Sequence, residues 1–521
     1  MAGQKAYGRT VKSMRNSGVA LFIQCLAMLV GFFSRKIFID VLGTEVIGLQ
    51  STATSILNGL NVMELGIWAA TSVTLYKPLF DDDRKKIKEI IALQGWLYKI
   101  IAILVIVGSF IVMCFFPEIF RKANLPLWYP YATFCTLLYS ESLKYFVNYK
   151  RIALYASQQN YKVLTRSRLI SVGKLILQAV MVKYSDHGFI WWLALEAINA
   201  TISAFLTTRI INKDFPYLKE SVEHPSSLRH HYPDVFQKIK YLAIHKLGGF
   251  AMSQISPIVI YGYTTLTNVA LYGNYMVVVG NIYNVLGAIF TGMDASVGNL
   301  VAENDGKLIM KVYRELFSMK FFITGVCSVC LWLLTEPFIS VWLGAQYRLG
   351  LTTLGLIIVS FMIGNIRSIN DEFINAYGLF QDVWVPVAEG TLNIVFALVL
   401  GHYHGLNGIL LASIISQFAI GFLWKPYFLF SRGFRQRTSL FVLLITKHSV
   451  VFAVAAALSV WLFGRLHLDP SVSIWAFLLS AIIVLSIVFS IFGVMLYSVE
   501  EGARGCVRRV LTVLSSKLNN K

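Results

Sequence analysis

Apolar stretches of more than twenty residues recur along nearly the whole chain, and they constrain its fold more than any other feature. Residues 473–497, for example, contain no charged side chain. About 20 apolar residues suffice for a helix to cross a bilayer, and a helix satisfies its backbone hydrogen bonds internally, as lipid requires. Only 14% of the 521 residues are charged, whereas an average soluble domain carries about 25%. The sequence therefore predicts an all-α membrane protein.

The apolar pattern predicts fourteen transmembrane helices. They are placed at residues 17–41, 46–75, 89–115, 128–149, 165–184, 188–210, 241–263, 269–299, 318–335, 351–373, 385–401, 406–424, 444–463 and 473–497. An even number of spans puts both termini on one side of the membrane. Loops on that side hold 30 Lys and Arg residues, and loops on the other side hold five. The positive-inside rule then predicts a multi-pass membrane protein with both termini in the cytoplasm.

The net charge of +19 has the same explanation. Basic residues concentrated in the loops of a membrane protein follow the positive-inside rule, so we predict no nucleic-acid partner.

The two halves of the chain resemble each other. The sequence IFIDVLGTEVIGL from Ile37 is echoed by IVIYGYTTLTNVALYG from Ile258, and both are followed by a polar span and an acidic turn. Repeated halves with a site at their interface are typical of secondary transporters. We therefore predict two pseudo-symmetric six-helix bundles. The predicted parts are an N-terminal lobe (1–211), a cytoplasmic linker (212–240), a C-terminal lobe (241–424), and two extra helices with a basic cytoplasmic tail (425–521).

The stretch from Phe32 to Lys77 is unusually polar for its length. It is predicted to hold the end of the first span, a tight turn at Leu42-Gly43-Thr44 and the whole of a continuous second span. Ionised side chains within a span normally face a water-filled interior, because each costs roughly 2.5–3.5 kcal/mol at the bilayer centre. The stretch therefore indicates a wet cavity between helices.

Cationic side chains within the predicted spans outnumber nearby acids. Eight of them are predicted to line a substrate cavity: Arg35, Lys36, Lys144, Arg166, Arg168, Lys174, Lys246 and Arg367. Cations without an acid one helical turn away favour an anionic ligand, and the planar guanidinium of arginine suits phosphate. Alternatives remain open: Arg166 and Arg168 mark the inner interface of their span, and Arg367/Asp371 and Glu141/Lys144 pair along one helix face.

Polar uncharged residues occupy corresponding places in the two halves. Asn58, Asn61, Asn281 and Asn284 are predicted to line the channel, with hydrogen bonding between helices as the alternative. No nucleophile stands at motif spacing from a base, and no nucleotide-binding or metal-binding motif is present. We predict neither an enzyme nor a bound metal or cofactor.

With these residues the chain resembles the Wzx-type polysaccharide flippases of the MOP superfamily. The resemblance rests on Ser34-Arg35-Lys36-Ile37-Phe38-Ile39, Leu42-Gly43 with Gly48-Leu49, Glu64-Leu65-Gly66-Ile67 and Leu75-Tyr76-Lys77-Pro78-Leu79. The order and spacing of these motifs, the fourteen spans and the doubled six-helix arrangement extend it over nearly the whole chain.

The resemblance implies a flippase of the bacterial cytoplasmic (inner) membrane. Such a flippase moves an undecaprenyl-diphosphate-linked oligosaccharide from the inner to the outer leaflet by alternating access. The oligosaccharide is then used for O-antigen, capsule or exopolysaccharide synthesis. The resemblance also implies that Arg35, displaced by a residue relative to the following glycine, meets the diphosphate in a cationic central cavity. Membrane lipid and polysaccharide polymerase or chain-length proteins are the implied partners. Coupling to H⁺ or Na⁺ has the candidate acids Glu64, Asp294, Asp371 and Glu372.

Three other functions compete. A multidrug and toxin extrusion (MATE) antiporter normally has twelve spans, exports cations and needs an intramembrane carboxylate, so an excess of cations argues against it. An O-antigen polymerase or ligase would need a large outer loop, and the predicted outer loops are short. A scaffold for envelope assembly would leave the intramembrane charges unexplained.

Overall fold

A computed structural model describes residues 25–64, 66–220, 225–233, 256–290, 294–379 and 384–509, with a few isolated positions between them. These residues are almost entirely helical and contain no strand. The chain divides into two compact units, Met1–Ala270 and Leu271–Lys521.

The N-terminal unit is built from seven principal helices. They are α1 (residues 25–42), α2 (Thr44–Leu60), α3 (Ile67–Phe80), α4 (Arg84–Cys114), α5 (Trp128–Phe146), α6 (Tyr161–Tyr184) and α7 (Gly188–Asp214). The principal helices of the C-terminal unit are α8 (Leu266–Phe290, which begins just before the boundary), α9 (Asp294–Ala302), α10 (Gly306–Trp342), α11 (Leu351–Ala376), α12 (Trp384–Phe418), α13 (Ser439–Arg465) and α14 (Ile474–Val499). A backbone kink at Gly405 divides α12.

Eight of the described helices are long and apolar enough to cross a membrane. They are α4, α7, α8, α10, α11, the helical stretch Trp384–Phe434, α13 and α14. The protein is therefore a multi-pass membrane protein, and the count of fourteen spans stays a prediction. Helix α6 is long enough at 24 residues but carries five Lys and Arg residues. Of the eight apolar helices only α4 and α7 lie wholly in the N-terminal unit, so the more polar of the described helices are concentrated there.

The turn between the first two helices forms where the sequence predicts it. Gly43 separates α1 from α2 with a φ of 85°. This left-handed backbone conformation is readily adopted by glycine, which has no Cβ to clash.

The second predicted span, by contrast, is not one continuous helix. Helix α2 ends at Leu60, a 3₁₀ turn covers Asn61–Glu64, and α3 begins at Ile67 after Gly66 with a φ of 101°. Length and hydropathy predict an unbroken span, but asparagine competes for backbone hydrogen bonds and glycine tolerates the left-handed region. The predicted span 269–299 likewise falls on two helices, α8 and α9.

The two units share one local feature at the offset of the sequence repeat. Asp83 caps α4 by accepting a hydrogen bond from the backbone N–H of Lys86 at 3.1 Å. Asp305 caps α10 in the same way, accepting from Lys307 at 3.0 Å. The residue before each cap has a left-handed backbone, with φ 50° at Asp82 and 57° at Asn304. The matching caps agree with the repeat, while the symmetry of whole bundles stays a prediction.

The predicted linker contacts α4 where it is described. Tyr232 donates a hydrogen bond to Glu89 at 2.7 Å, and Lys88 pairs with Glu220. The four-part domain division is otherwise untested and stays a prediction.

Candidate functional site

Helix α6 is the most cationic helix of the N-terminal unit. It carries five basic residues and no acid. Two of the five are neutralised by α7, since Lys174 Nζ lies 2.7 Å from Glu196 and Lys162 Nζ lies 2.7 Å from Asp214. The pairing of Lys174 differs from the expectation of an unpaired cation. Spacing along one helix cannot reveal an acid on the next, and α6 and α7 pack against each other.

A chain of polar contacts joins α1, α6 and α7. Ser34 donates a hydrogen bond to the Leu175 carbonyl at 3.3 Å, which links α1 to α6. Gln178 donates to the Trp192 carbonyl at 2.8 Å and lies 3.4 Å from Glu196. We call Ser34, Lys174, Gln178 and Glu196 the polar seam. Ser34 and Gln178 are almost fully buried, so the seam lies inside the unit.

The two arginines of α6 lie on different faces of the helix. Residues two positions apart point about 200° apart, whereas positions separated by three, four or seven share a face. Arg166 therefore shares its face with Leu177, Val180 and Tyr184, all exposed apolar or aromatic side chains typical of a surface toward lipid. This placement favours the alternative that Arg166 marks the membrane interface.

Arg168 lies on the opposite, packed face. It shares that face with Val172, Ala179 and Val182, which are all buried, and with Leu175, whose carbonyl contacts α1. Arg168 itself is exposed and forms no ion pair with any described residue. The packed face of α6 therefore opens at the level of Arg168, where the side chain is accessible to a ligand.

Helix α1 repeats this arrangement. Arg35 shares a face with Phe38 and Ile39, which are buried at the next turn. Lys36 instead shares a face with Leu29 and Phe33, which are 58% and 71% exposed. In both neighbouring pairs of cations, one arginine lies on the packed face and the other cation lies on the exposed face.

The remaining predicted cations divide among other environments. Lys144 pairs with Glu141 at 2.6 Å on the same helix, as the alternative interpretation predicted, and its side chain is 63% exposed. Lys246 lies outside the described residues.

Charged residues of the C-terminal unit pair with one another. Arg367 pairs with Glu389 on α12, Asp371 with Lys425, and Glu372 with Lys320 on α10. The alternative that Arg367 and Asp371 pair with each other along α11 is not the arrangement found, because each forms its ion pair with a residue outside α11. Each of the three pairs is neutral overall. Of the predicted cavity cations, Arg367 of the C-terminal unit is therefore neutralised, whereas Arg168 of the N-terminal unit forms no ion pair with a described residue.

One candidate coupling acid stands at the break between α2 and α3. Glu64 accepts hydrogen bonds from Tyr98 of α4 at 2.7 Å and from Tyr145 of α5 at 3.2 Å. The two tyrosine rings contact edge to face, with centroids 5.5 Å apart. Asn61, in the same 3₁₀ turn, has a buried side-chain oxygen with no hydrogen-bond partner among the described residues. The carboxylate can take up a proton, and carboxylate and amide oxygens are both ligands for hard cations.

The other predicted polar residues are spread over two helices and a helix end. Asn58 lies half-buried near the end of α2, while on α8 Asn281 is half-buried and Asn284 is exposed. For Asp294, only the backbone at the start of α9 is described.

Sequence reasoning missed the partners that build the site. Gln178 and Tyr98 were not singled out, and Lys320 was counted with the inner loop that precedes its span, although it is buried against Glu372. A helical-face analysis of α6 would have found Gln178, which lies near the face that carries Arg168 and Leu175.

No protein-family model and no curated protein sequence matches the chain. Several solved structures, however, match the fold of the chain. A lipid II flippase, MurJ, in an inward closed conformation aligns with a TM-score of 0.63 over 92% of this chain and 98% of its own, at 14% identity. An inward-facing multidrug resistance MATE family transporter of the MOP superfamily aligns at 0.54 over 78% and 96%, at 13% identity. A MOP superfamily transporter from Pyrococcus furiosus, whose binding pocket is described as having reverse polarity, aligns at 0.50 over 78% and 92%, at 14% identity.

These similarities are too low in identity to show more than the fold. The chain has the fold of the MOP superfamily, as the sequence resemblance implied. The Wzx-type assignment within that fold stays a prediction.

Proposed function

We propose that the protein is a flippase that moves an undecaprenyl-diphosphate-linked oligosaccharide from the inner to the outer leaflet of the bacterial cytoplasmic membrane. The fold supports a transporter, and one structural neighbour is a lipid II flippase. The Wzx-type sequence motifs favour an oligosaccharide for O-antigen, capsule or exopolysaccharide synthesis as the cargo. Polymerase and chain-length proteins that use the exported unit are the proposed partners.

The observation that carries this proposal is the placement of Arg168. Helix α6, which carries Arg168, contains no acidic residue. The same face of α6 is buried at Val172, Ala179 and Val182, whereas the Arg168 side chain is exposed. The Ser34–Leu175 contact brings α1, with Arg35 on its packed face, against α6. Leu175 lies seven residues from Arg168, or about 10 Å along the helix axis. Two arginines on adjoining helices supply the bidentate donors that a diphosphate binds.

The side chains of the polar seam on α6 and α7 are held by an ion pair and by hydrogen bonds. Lys174 is neutralised by Glu196, so it does not compete for the diphosphate, and Gln178 holds Glu196 in place. We therefore assign diphosphate binding to Arg35 and Arg168, and a positioning role to Lys174.

For energy coupling, the contacts of the candidate acids support Glu64 over Asp371 and Glu372. Asp371 and Glu372 are each occupied by a lysine, whereas Glu64 accepts only from neutral tyrosines among the contacts described. We propose that Glu64 takes up the coupling H⁺ or Na⁺. Glu64→Gln should abolish the dependence of transport on an imposed ion gradient while leaving substrate binding intact, and unchanged gradient dependence would refute the role.

The direct test of the proposed function is reconstitution. Vesicles containing the purified protein are loaded with a fluorescent undecaprenyl-diphosphate oligosaccharide, and the fraction accessible to a membrane-impermeant quencher is followed over time. We expect exchange between leaflets that protein-free vesicles do not show, with no ATP hydrolysis or glycosyl transfer. Exchange no faster than in protein-free vesicles would contradict the proposal.

A MATE-type exporter is the second candidate, favoured by the carboxylate Glu64 within a helical region of the N-terminal unit. It predicts that the same vesicles accumulate cationic dyes under an ion gradient. The cationic character of α6 opposes a cationic substrate. Dye uptake without movement of the lipid-linked oligosaccharide would decide for this alternative.

A further inference from the structure

Two adjoining cavities in the C-terminal unit lie where α10 begins and the chain continues after α14. Their volumes are about 510 and 470 Å³. The basic residues that line them are Lys307, Lys311, Arg314, Arg504, Arg508 and Arg509. The lining acids are Glu315 and Glu501, and Glu315 is already paired with Arg509 at 2.7 Å. The cavities therefore carry a clear excess of positive charge.

Close packing fixes the geometry of this basic site. The helical residues 501–509 lie directly against α10. A Cβ at Gly502 would lie 2.6 Å from the Arg314 carbonyl oxygen, and one at Gly505 would lie 2.6 Å from Glu315. At Gly502 the obstructing atom belongs to the backbone, so only glycine permits this approach. Arg504 and Lys311 both line the wall of the cavity.

An apolar cleft lies on α10 and residues 501–509, the same two helical segments that carry the basic site. It has a volume of about 490 Å³ and is lined mainly by Met319, Phe322, Phe489, Val494, Leu496 and Val507. Phe489 and Val494 belong to a helix that is apolar enough to span the membrane, and both are exposed. The cleft therefore opens on the side of the helix where acyl chains lie.

We propose that this composite site binds a glycerophospholipid with an anionic headgroup, with the phosphate among Lys307, Lys311 and Arg504 and an acyl chain along Phe322 and Val494. Phe322 follows Lys311 by eleven residues, or about 16 Å along α10, which suits a headgroup and the chain below it. Anionic lipids of the cytoplasmic leaflet are attracted by basic segments at the membrane surface. A free phosphate would use the basic cavities and leave the cleft unused.

The test measures which lipid the purified full-length protein retains. Protein is equilibrated in mixed micelles of phosphatidylglycerol and phosphatidylcholine with identical acyl chains, and bound lipids are counted by native mass spectrometry. Wild type should retain phosphatidylglycerol selectively. The triple variant Lys307→Gln/Lys311→Gln/Arg504→Gln should lose that selectivity by about tenfold or more, because each basic side chain contributes to anionic-lipid attraction.

A matched control removes the same charge elsewhere. Lys85→Gln/Lys213→Gln/Lys219→Gln alters three exposed lysines of the N-terminal unit and should retain the selectivity of wild type. Equal selectivity in wild type and the site variant would overturn the proposal, as would an equal loss in the control. Displacement of the lipid by millimolar glycerol 3-phosphate would also overturn it, by assigning the site to a free phosphate. None of these readouts depends on flippase activity.

Discussion

Arg35 and Arg168 each have a second cation close by in the sequence, and helix geometry separates the members of each pair. Arg35 and Arg168 lie on the packed faces of α1 and α6, while Lys36 and Arg166 lie on faces with exposed apolar side chains. Long cationic side chains on such a face extend to the membrane interface. The assignment of a diphosphate ligand therefore depends on helix face more than on residue type.

The Lys174–Glu196 pair has a testable structural role. Lys174 and Glu196 are 15% and 25% exposed. Lys174→Met leaves Glu196 without its counter-charge, and we expect a loss of about 2 kcal/mol of stability, below the 3–5 kcal/mol seen when a fully buried pair is broken. Thermal unfolding of the purified protein measures it.

The double variant Lys174→Met/Glu196→Met is the control, because it removes both charges and should recover most of the loss. A double variant as unstable as the single one would show that the ion pair is not what stabilises the polar seam.

Among the elements, the turn at Gly43 and the cap at Asp83 follow from local residues, and the sequence predicts the turn correctly. The break after Leu60 is also local, at Asn61 and Gly66, but length and hydropathy alone predict a continuous span there. The pairing of Arg367 with Glu389 does not follow from spacing along one helix, because contacts between helices decide it and a single sequence carries little information about which helices adjoin. The sequence of α6 alone predicts which face carries Arg168. It does not predict that α6 contacts α1 through Ser34.

Glu500, the residue after α14, should make the stability of the protein depend on pH. Glu500, which follows α14, is buried, and burial raises the pKa of its carboxyl group above the usual 4.5, against the opposing influence of Lys447, Arg314 and Arg504. The folded state thus binds this proton more tightly than the unfolded state. Its contribution to stability is complete below about pH 4.5 and is lost as the pH rises through the folded pKa.

Glu500→Gln cannot ionise, so its melting temperature should equal that of wild type near pH 4.5 and exceed it increasingly as the pH rises toward 7.5. Glu501→Gln removes an exposed neighbouring charge that also raises the pKa of Glu500; because it leaves Glu500 ionisable, it should show a much smaller trend. Parallel melting curves for wild type and Glu500→Gln across this range would contradict the argument.

At the scale of the whole molecule, the two units differ in how the cations predicted to lie within the spans are paired. The C-terminal unit pairs Arg367, Lys320 and Lys425 with acids, whereas the N-terminal unit presents Arg168 on an acid-free helix. The predicted central cavity would on this account receive its diphosphate-binding charge from the N-terminal unit. The proposed topology rests on the family resemblance and on the excess of Lys and Arg in the loops of one side of the membrane.

That topology can be tested with single cysteines in a background without the six native ones. Lys219→Cys, in the predicted cytoplasmic linker, should react with a membrane-impermeant maleimide only after the cells are permeabilised. Ala345→Cys, in the exposed turn between α10 and α11, should react in intact cells. The reverse pattern would invert the proposed orientation.

The central claim is that Arg168 binds the diphosphate of a lipid-linked cargo, and Arg166 supplies a control two residues away. Both Arg168→Gln and Arg166→Gln remove one positive charge from α6, so differences in insertion or general electrostatics are matched. In the vesicle assay we expect Arg168→Gln to slow movement of the undecaprenyl-diphosphate oligosaccharide by about tenfold or more, the worth of a charge-assisted hydrogen bond, and Arg166→Gln to stay within about twofold of wild type. Equal rates for the two variants would contradict the account.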